Sequence, residues 1–163
     1  RARPLLLQRT LMPSLEQLYQ QVILDHAKAR HGLGTVEGVD ASSHQVNPTC
    51  GDEVTLGVQL APDGAIERIV WDGDGCSISQ ASLSVMVDLA DGKTVDEAMD
   101  LEQTFHKLME SRGAGLDDEN LEEKLGDAVV FQGVSKYPMR IKCALLGWEG
   151  LKDSIAKALA AKN

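Results

Sequence analysis

The chain has 163 residues and a formal net charge of −9, enough length for one domain with a core that needs neither disulfides nor a metal to fold. This acidic balance, with no basic stripe, argues against a nucleic-acid partner. No apolar run approaches the roughly 20 residues of a membrane span, so we expect a soluble protein.

Residues 1–13 show no helical period and precede a well-formed helix start, so we expect a disordered extension there and a single domain over residues 14–163. The apolar run Leu5–Leu7 is far too short for the apolar region of a signal peptide. The chain has three cysteines, which cannot all pair with one another in disulfides. These features predict a protein of the reducing cytoplasm.

A first helix is predicted after Ser14, which forms a capping-box pattern with Gln17 and precedes apolar residues at helical spacing. Gly32 ends this pattern. Residues 34–49 are rich in Gly, Ser and Asn and end in an Asn-Pro pair, which favours extended or turn conformations. We therefore expect Cys50 on a loop.

An antiparallel hairpin is predicted from alternating apolar residues over Val54–Leu60 and a second β-rich run over Ile66–Trp71, joined by a Pro-Asp-Gly turn. The glycines of segment 73–75 are expected to break the second strand. An amphipathic pattern over Ile78–Leu89 then predicts a helix, so that Cys76 lies just before a helix N-terminus.

The C-terminal half reads as helical. A second capping box, Thr94 with Glu97, opens a helix, and an acidic helical turn over Leu121–Leu125 is expected to face solvent. Pro138 is suited to begin a helix that contains Cys143. A separate last amphipathic helix is predicted from Leu151, Ile155 and Leu159.

The three cysteines stand far apart among small or turn-forming residues, and a carboxylate follows the first by two positions. Three thiolates and a carboxylate fill the four positions of tetrahedral zinc. We therefore predict one metal site, brought together by the fold. A helix N-terminus favours the thiolate of its cysteine, and Gly51 lets the first two ligands reach the same ion. The predicted ligands are Cys50, Asp52, Cys76 and Cys143.

Such a site would carry a net charge of about −2, since zinc offsets two of its four negative ligands. Arg140, three positions before Cys143, shares a helix face with it and is predicted to balance that charge. The alternative for each cysteine is a small buried apolar residue. Asp52 could instead cap a strand or turn, while Asp72 and Asp74 lack the other ligands of a calcium loop and are interpreted as turn residues.

None of the four histidines is expected to bind metal. His26 lies on the apolar stripe of the first helix and is interpreted as a packed or interfacial residue. His31, His44 and His106 have no ligand-like partners along the sequence.

Three motifs in order carry a family resemblance: NPTCGD at 47–52, GDGCSISQAS at 73–82 and RIKCA at 140–144. With them the chain resembles the IscU/NifU-N family of iron–sulfur cluster assembly proteins over about residues 15–159. The resemblance implies an α+β fold, SufE/NifU-like, with a small antiparallel sheet, helices packed mainly on one face and the metal site at one exposed end. It assigns the same four residues to the metal.

Departures from the scaffold pattern favour the SufU branch of this family. IscU-type scaffolds carry a histidine directly before the third cysteine, where this chain has Lys142. The separation of Cys76 and Cys143 is 143 − 76 = 67 positions, longer than the scaffold pattern and similar to the SufU insertion, here within about 92–133. Segment 137–140 also replaces the chaperone-recognition segment of scaffolds.

The resemblance implies that the protein binds zinc and takes persulfide sulfur from a SufS-type cysteine desulfurase, for relay to a SufB-containing assembly complex. It would thus act as a sulfurtransferase-type relay partner of the desulfurase. We hypothesise that a desulfurase side chain takes over one zinc position and frees Cys50 as the nucleophile, because this cysteine is on a loop. Asp52, Cys76 and Cys143 would keep the ion.

Three alternatives stay open. An iron–sulfur scaffold would assemble a [2Fe-2S] cluster on the same cysteines, although a cluster ligand is missing at Lys142. A cysteine hydrolase would need a histidine base, yet no hydrolase signature surrounds any cysteine. A purely structural zinc module would unfold when its metal is removed.

Overall fold

The computed structural model describes residues 14–162, so our expectation for residues 1–13 lies outside the described residues. The helices and strands follow in the order α1 (Leu15–Ala29), β1 (Ala41–Asn47), β2 (Asp52–Leu60), β3 (Ile66–Asp74), α2 (Ser77–Ala90), α3 (Val95–Glu110), α4 (Glu119–Leu125), a 3₁₀ segment (Gly126–Lys136) and α5 (Pro138–Lys162).

The strands form an antiparallel sheet in the order β1-β2-β3. Alternate residues of the central strand β2, from Asp52 to Leu60, are buried on one face. That face packs against α5, where the hydroxyl of Ser43 on β1 donates to Asp153 at 2.7 Å. The predicted α+β fold, with helices mainly on one face of a small sheet, is confirmed.

Two strand predictions were incomplete. The segment Ala41–Asn47 was expected to be extended or a turn, with no strand predicted, but it is an edge strand that pairs with β2 in a register that places Asn47 opposite Asp52. Strand β3 also continues through Asp74, so Asp72 and Asp74 are strand residues rather than turn residues. In both places pairing with the apolar central strand overrides weak local propensity.

The two helices predicted near the C-terminus are one helix of 25 residues, α5. Gly147 and Gly150 look like breaks in the sequence, but both stay helical. A Cβ on Gly147 would lie 2.4 Å from Leu83 Cδ2, so this glycine lets α5 approach α2 closely. Its packing role compensates for the roughly 1 kcal/mol cost of a glycine inside a helix.

The helical layer closes over an aromatic cluster. Phe105 of α3 stacks on Trp148 of α5 with ring centroids 4.7 Å apart, and it meets Phe131 of the 3₁₀ segment edge to face at 5.9 Å. Leu125 of the acidic helix α4 is also buried, although its neighbours in that helix are more exposed, as expected. These contacts attach the segment between α2 and α5 to the core.

Within residues 14–162, none of the helices combines the length and the apolar character that a membrane-crossing helix requires.

The pairing of β2 with β3 gives a stability prediction. A Cβ on Gly73 would lie 2.1 Å from the carbonyl oxygen of Glu53, a backbone atom that has no room to move. We expect Gly73→Ala to lower the free energy of unfolding by about 1–3 kcal/mol, as overpacked sites do. Urea unfolding followed by circular dichroism measures this change.

Gly133→Ala is the matched control, because the space around that Cβ is open. It should change stability by no more than about 0.5 kcal/mol. Equal stability of the two variants would show that the β2–β3 contact is not as close as described.

Candidate metal centre

Cys50 lies on the turn that joins β1 to β2, as the sequence predicts. Its backbone N–H donates to the carbonyl of Asn47 at 3.3 Å, and Gly51 follows with a φ of +71°, a left-handed conformation that favours glycine. The thiol of Cys50 is exposed. The chain therefore presents this sulfur at the tip of a tight hairpin.

Asp52 begins β2, and its side chain is completely buried at 0 % exposure. Its Oδ1 accepts the backbone N–H of Cys76, the N-cap residue of α2, at 2.8 Å. A buried carboxylate needs such a partner, and the dipole of the helix adds to its stabilisation. Gly75 leaves room for this contact, since a Cβ there would lie 2.9 Å from Oδ1.

Cys143 lies in the second turn of α5 and is 2 % exposed. Its Sγ is 3.3 Å from Cys50 Sγ and 3.7 Å from Asn47 Nδ2. Burial, followed by contacts with Cys50 and Asp52, raises the pKa of the Cys143 thiol. A cation bound beside it would have the opposite effect and favour the thiolate.

The four predicted ligands converge. The ligand atoms of Cys50, Asp52 and Cys143 all lie within 4.8 Å of one another. Cys76 Sγ is 3.8 Å from Asp52 Oδ2, while the backbone N–H of Cys76 bonds to the other oxygen, Oδ1. A turn, a strand and two helices thus bring together residues up to 93 positions apart in the chain. Their role as metal ligands stays a prediction.

Arg140, predicted to balance the charge of the site, has its side chain against the ring of Tyr137. Its side chain is exposed, and its guanidinium carbon lies 4.6 Å from the centre of the Tyr137 ring. Over residues 14–162, no hydrogen bond or ion pair joins it to Asp52. Its charge-balancing role stays a prediction.

The histidines are paired with other groups, not with sulfur. His26 is buried, with Nδ1 3.0 Å from Ser84 Oγ, so the interpretation as a packed residue is confirmed. In the part of the chain that the structure describes, no histidine forms a hydrogen bond with a cysteine.

The expectation that His106 has no ligand-like partner was wrong. Its Nε2 lies 2.9 Å from a carboxylate oxygen of Glu102 and 2.7 Å from one of Glu149. The sequence signal for the first contact was available, because Glu102 and His106 are four positions apart on one predicted helix. Glu149, on another helix, had no such signal.

An apolar surface lies next to the predicted metal centre. A groove of about 580 Å³ runs between α1 and the start of α5, and Ile78 and Arg140 are among its lining residues. Apolar side chains exposed on these two helices include Leu15, Leu18, Leu24 and Met139. Clustered exposed apolar side chains of this kind are typical of protein contact surfaces.

Comparisons with known proteins agree with this architecture. The family model "NifU-like N terminal domain" matches residues 18–144. The iron–sulfur cluster assembly scaffold protein IscU of Streptococcus pyogenes serotype M1 is 38 % identical over 152 residues, 93 % of this chain and 91 % of that protein. The zinc-dependent sulfurtransferase SufU of Bacillus subtilis strain 168 is 39 % identical over 147 residues, 88 % of this chain and 93 % of that protein.

Among solved structures, a SUF-system protein of Fervidobacterium islandicum AW-1, described as an iron–sulfur cluster assembly scaffold, has a TM-score of 0.75 at 34 % identity. The match covers 87 % of this chain and 99 % of that one. Family model, relatives and fold agree with the resemblance carried by the three cysteine motifs. This chain belongs to the NifU-like N-terminal domain family, the family of IscU and SufU.

Proposed function

We propose that this protein acts in iron–sulfur cluster assembly in the cytoplasm, as a zinc-dependent sulfur acceptor. It takes persulfide sulfur from a SufS-type cysteine desulfurase and relays it to a SufB-containing assembly complex. The observation that carries this proposal is the unequal exposure of the predicted ligands. Cys50 is exposed at a hairpin tip, whereas Asp52 and Cys143 are buried beside it.

The donor set fits zinc. Thiolates and a carboxylate are among its usual ligands, and with Zn–S bonds of about 2.3 Å two sulfurs on a tetrahedral ion lie roughly 3.8 Å apart. The two sulfurs of Cys50 and Cys143 are 3.3 Å apart, so a shift of about half an ångström accommodates the ion. Cys50, Asp52, Cys76 and Cys143 would hold it. When bound, zinc keeps the cysteines deprotonated at neutral pH.

The transfer step requires one accessible thiolate. Cys50 attacks the terminal sulfur of the desulfurase persulfide, and a new S–S bond forms on Cys50 while the S–S bond of the desulfurase breaks. The desulfurase cysteine leaves as a thiolate, and the transferred sulfur carries its own charge or proton, so no external oxidant or reductant is needed. A buried thiol such as Cys143 cannot meet a persulfide held on another protein.

An iron–sulfur scaffold is the second candidate. Its support is the convergence of the cysteines and the scaffold name of the Streptococcus relative. Against it stands Lys142, exposed beside Cys143 where IscU-type scaffolds carry histidine. A protonated lysine has three donors and no lone pair, so it cannot replace an imidazole as a cluster ligand.

The relay predicts where sulfur is attached. After incubation of the zinc-loaded protein with its cysteine desulfurase and free cysteine, we expect one additional sulfur on Cys50, read by site-resolved mass spectrometry. Cys50→Ala should keep the fold and accept no sulfur, because the turn residue supports no core contact. Thr49→Ala, an exposed neighbour, is the control and should accept sulfur normally. Sulfur on Cys143, or acceptance only when iron is supplied, would favour the scaffold.

The predicted role of Asp52 as a zinc ligand can be tested by measuring zinc affinity. We expect Asp52→Ala to raise the dissociation constant for zinc by about tenfold or more, since it removes both a predicted ligand and the acceptor that positions Cys76. Competition with a chromophoric chelator measures it. Asp72→Ala, which removes an exposed strand carboxylate, should leave the affinity as it is. An unchanged affinity in Asp52→Ala would remove this residue from the ligand set.

Metal removal separates a relay from a structural zinc module. The core is built from apolar contacts such as Phe105 on Trp148, so the chelator-treated protein should retain its helix content by far-ultraviolet circular dichroism. Addition of zinc should restore sulfur acceptance. Unfolding on chelation would instead indicate a structural module.

A further inference from the structure

A second cluster of ligand-type side chains lies between α3 and α5. Glu102 and His106 are one turn apart on α3, and Glu149 meets them from α5. Their ligand atoms all lie within 4.8 Å of one another. None of these three residues belongs to the predicted cysteine site.

Glu102 is the unusual member. The residue is 1 % exposed, and its Oε1 has no hydrogen bond of acceptable geometry. That oxygen lies 2.9 Å from His106 Nε2, but the same nitrogen is 2.7 Å from Glu149 Oε1, where a hydrogen bond does form. One N–H cannot serve two carboxylates fully, so a buried carboxylate oxygen is left without the partner that burial demands.

The negative charge of the cluster indicates that the missing partner of Glu102 is a cation. Two carboxylates and a neutral imidazole sum to −2, which one divalent cation would neutralise. The side chains of His106 and Glu149 are 31 % and 41 % exposed, which gives an ion a path from solvent to Glu102.

We propose that Glu102, His106 and Glu149 form a second metal site, for a divalent first-row transition ion. Imidazole together with carboxylates suits zinc, manganese or ferrous iron, whereas magnesium and calcium prefer oxygen ligands alone. With three protein ligands, such a site leaves at least one position for water. The ion would join α3 to α5, and two of its ligands, His106 and Glu149, directly follow the stacked Phe105 and Trp148 in sequence.

A similar-looking group does not satisfy the same conditions. His26, His31 and Asp88 also bring ligand atoms together, but both ring nitrogens of His26 already have partners, Ser84 Oγ at 3.0 Å and Asp127 Oδ2 at 3.2 Å. No buried oxygen there is left without a partner. This group therefore does not support a second metal site.

The test measures metal stoichiometry. Protein preloaded with one equivalent of zinc at the cysteine site is titrated with Co²⁺, followed by equilibrium dialysis and visible absorption. We expect one further equivalent, with the d–d bands of cobalt but without thiolate-to-cobalt charge transfer. His106→Gln and Glu149→Gln should each weaken this second equivalent by about tenfold or more.

His44→Gln is the matched control, because His44 pairs with Glu53 at 2.7 Å on the surface and, among residues 14–162, belongs to no group of three ligand-type side chains. It should bind the second equivalent like the wild type. Co²⁺ should also raise the melting temperature of the wild type and of His44→Gln but not that of the other two variants. Absence of a second equivalent in the wild type, or one that both site variants retain, would overturn the proposal.

Discussion

The arrangement of the predicted metal centre depends on one buried polar contact between two helices. The hydroxyl of Ser82 on α2 donates to the carbonyl of Ala144 at 2.6 Å and accepts from the indole of Trp148 at 3.1 Å. All three residues are buried, and a buried network of this kind is stable only when every group is satisfied. Because Ala144 adjoins Cys143, this contact sets the distance between that cysteine and the start of α2.

The buried carboxylate of Asp52 links the sheet to the start of α2. Asp52 follows the hairpin turn, and its carboxylate accepts the backbone N–H of Cys76, the N-cap residue of α2, so the tip that carries Cys50 cannot move independently of Cys76. The helix N-terminus stabilises the anion, and the anion satisfies an amide that no helical carbonyl can reach. One bond therefore both orients two predicted ligands and compensates for burying a charge. Cys50 itself stays exposed, because its turn extends beyond the buried contacts.

Local signals predicted much of the fold and most of the site. The capping boxes at Ser14 and Thr94, and the position of Cys76 at the start of α2, follow from short-range chemistry. The predictions that failed concern elements that depend on residues distant in sequence. Strand β1 is polar and becomes a strand only by pairing with β2, and α5 stays continuous because Gly147 packs on Leu83. The position of Glu149 opposite His106 likewise follows from the crossing of two helices.

The two clusters each take one member from α5, and they differ in chemistry. Cys143 and Glu149 are six positions apart on α5, about 9 Å along the axis. The first cluster is rich in sulfur, which suits soft or borderline ions and sulfur transfer, while the second has oxygen and nitrogen only. They also differ in access: in the first, Cys50 is exposed while Asp52 and Cys143 are buried, whereas in the second Glu102 is buried and its two partners are half-buried. A cation at the proposed second site would therefore leave the thiol of Cys50 free for the proposed sulfur transfer.

Overall identity does not decide between relay and scaffold, because relatives named for each activity are 39 % and 38 % identical to this chain. Individual side chains around Cys143 distinguish a relay from a scaffold. A cluster scaffold needs ligands that hold two irons at once, and at position 142 this chain offers an ammonium, which repels a cation. A sulfur relay needs one thiol that can leave the metal and reach another protein. The other ligands must stay in place when that thiol leaves. The exposed Cys50, set against Asp52 and Cys143 in the interior, meets the second requirement.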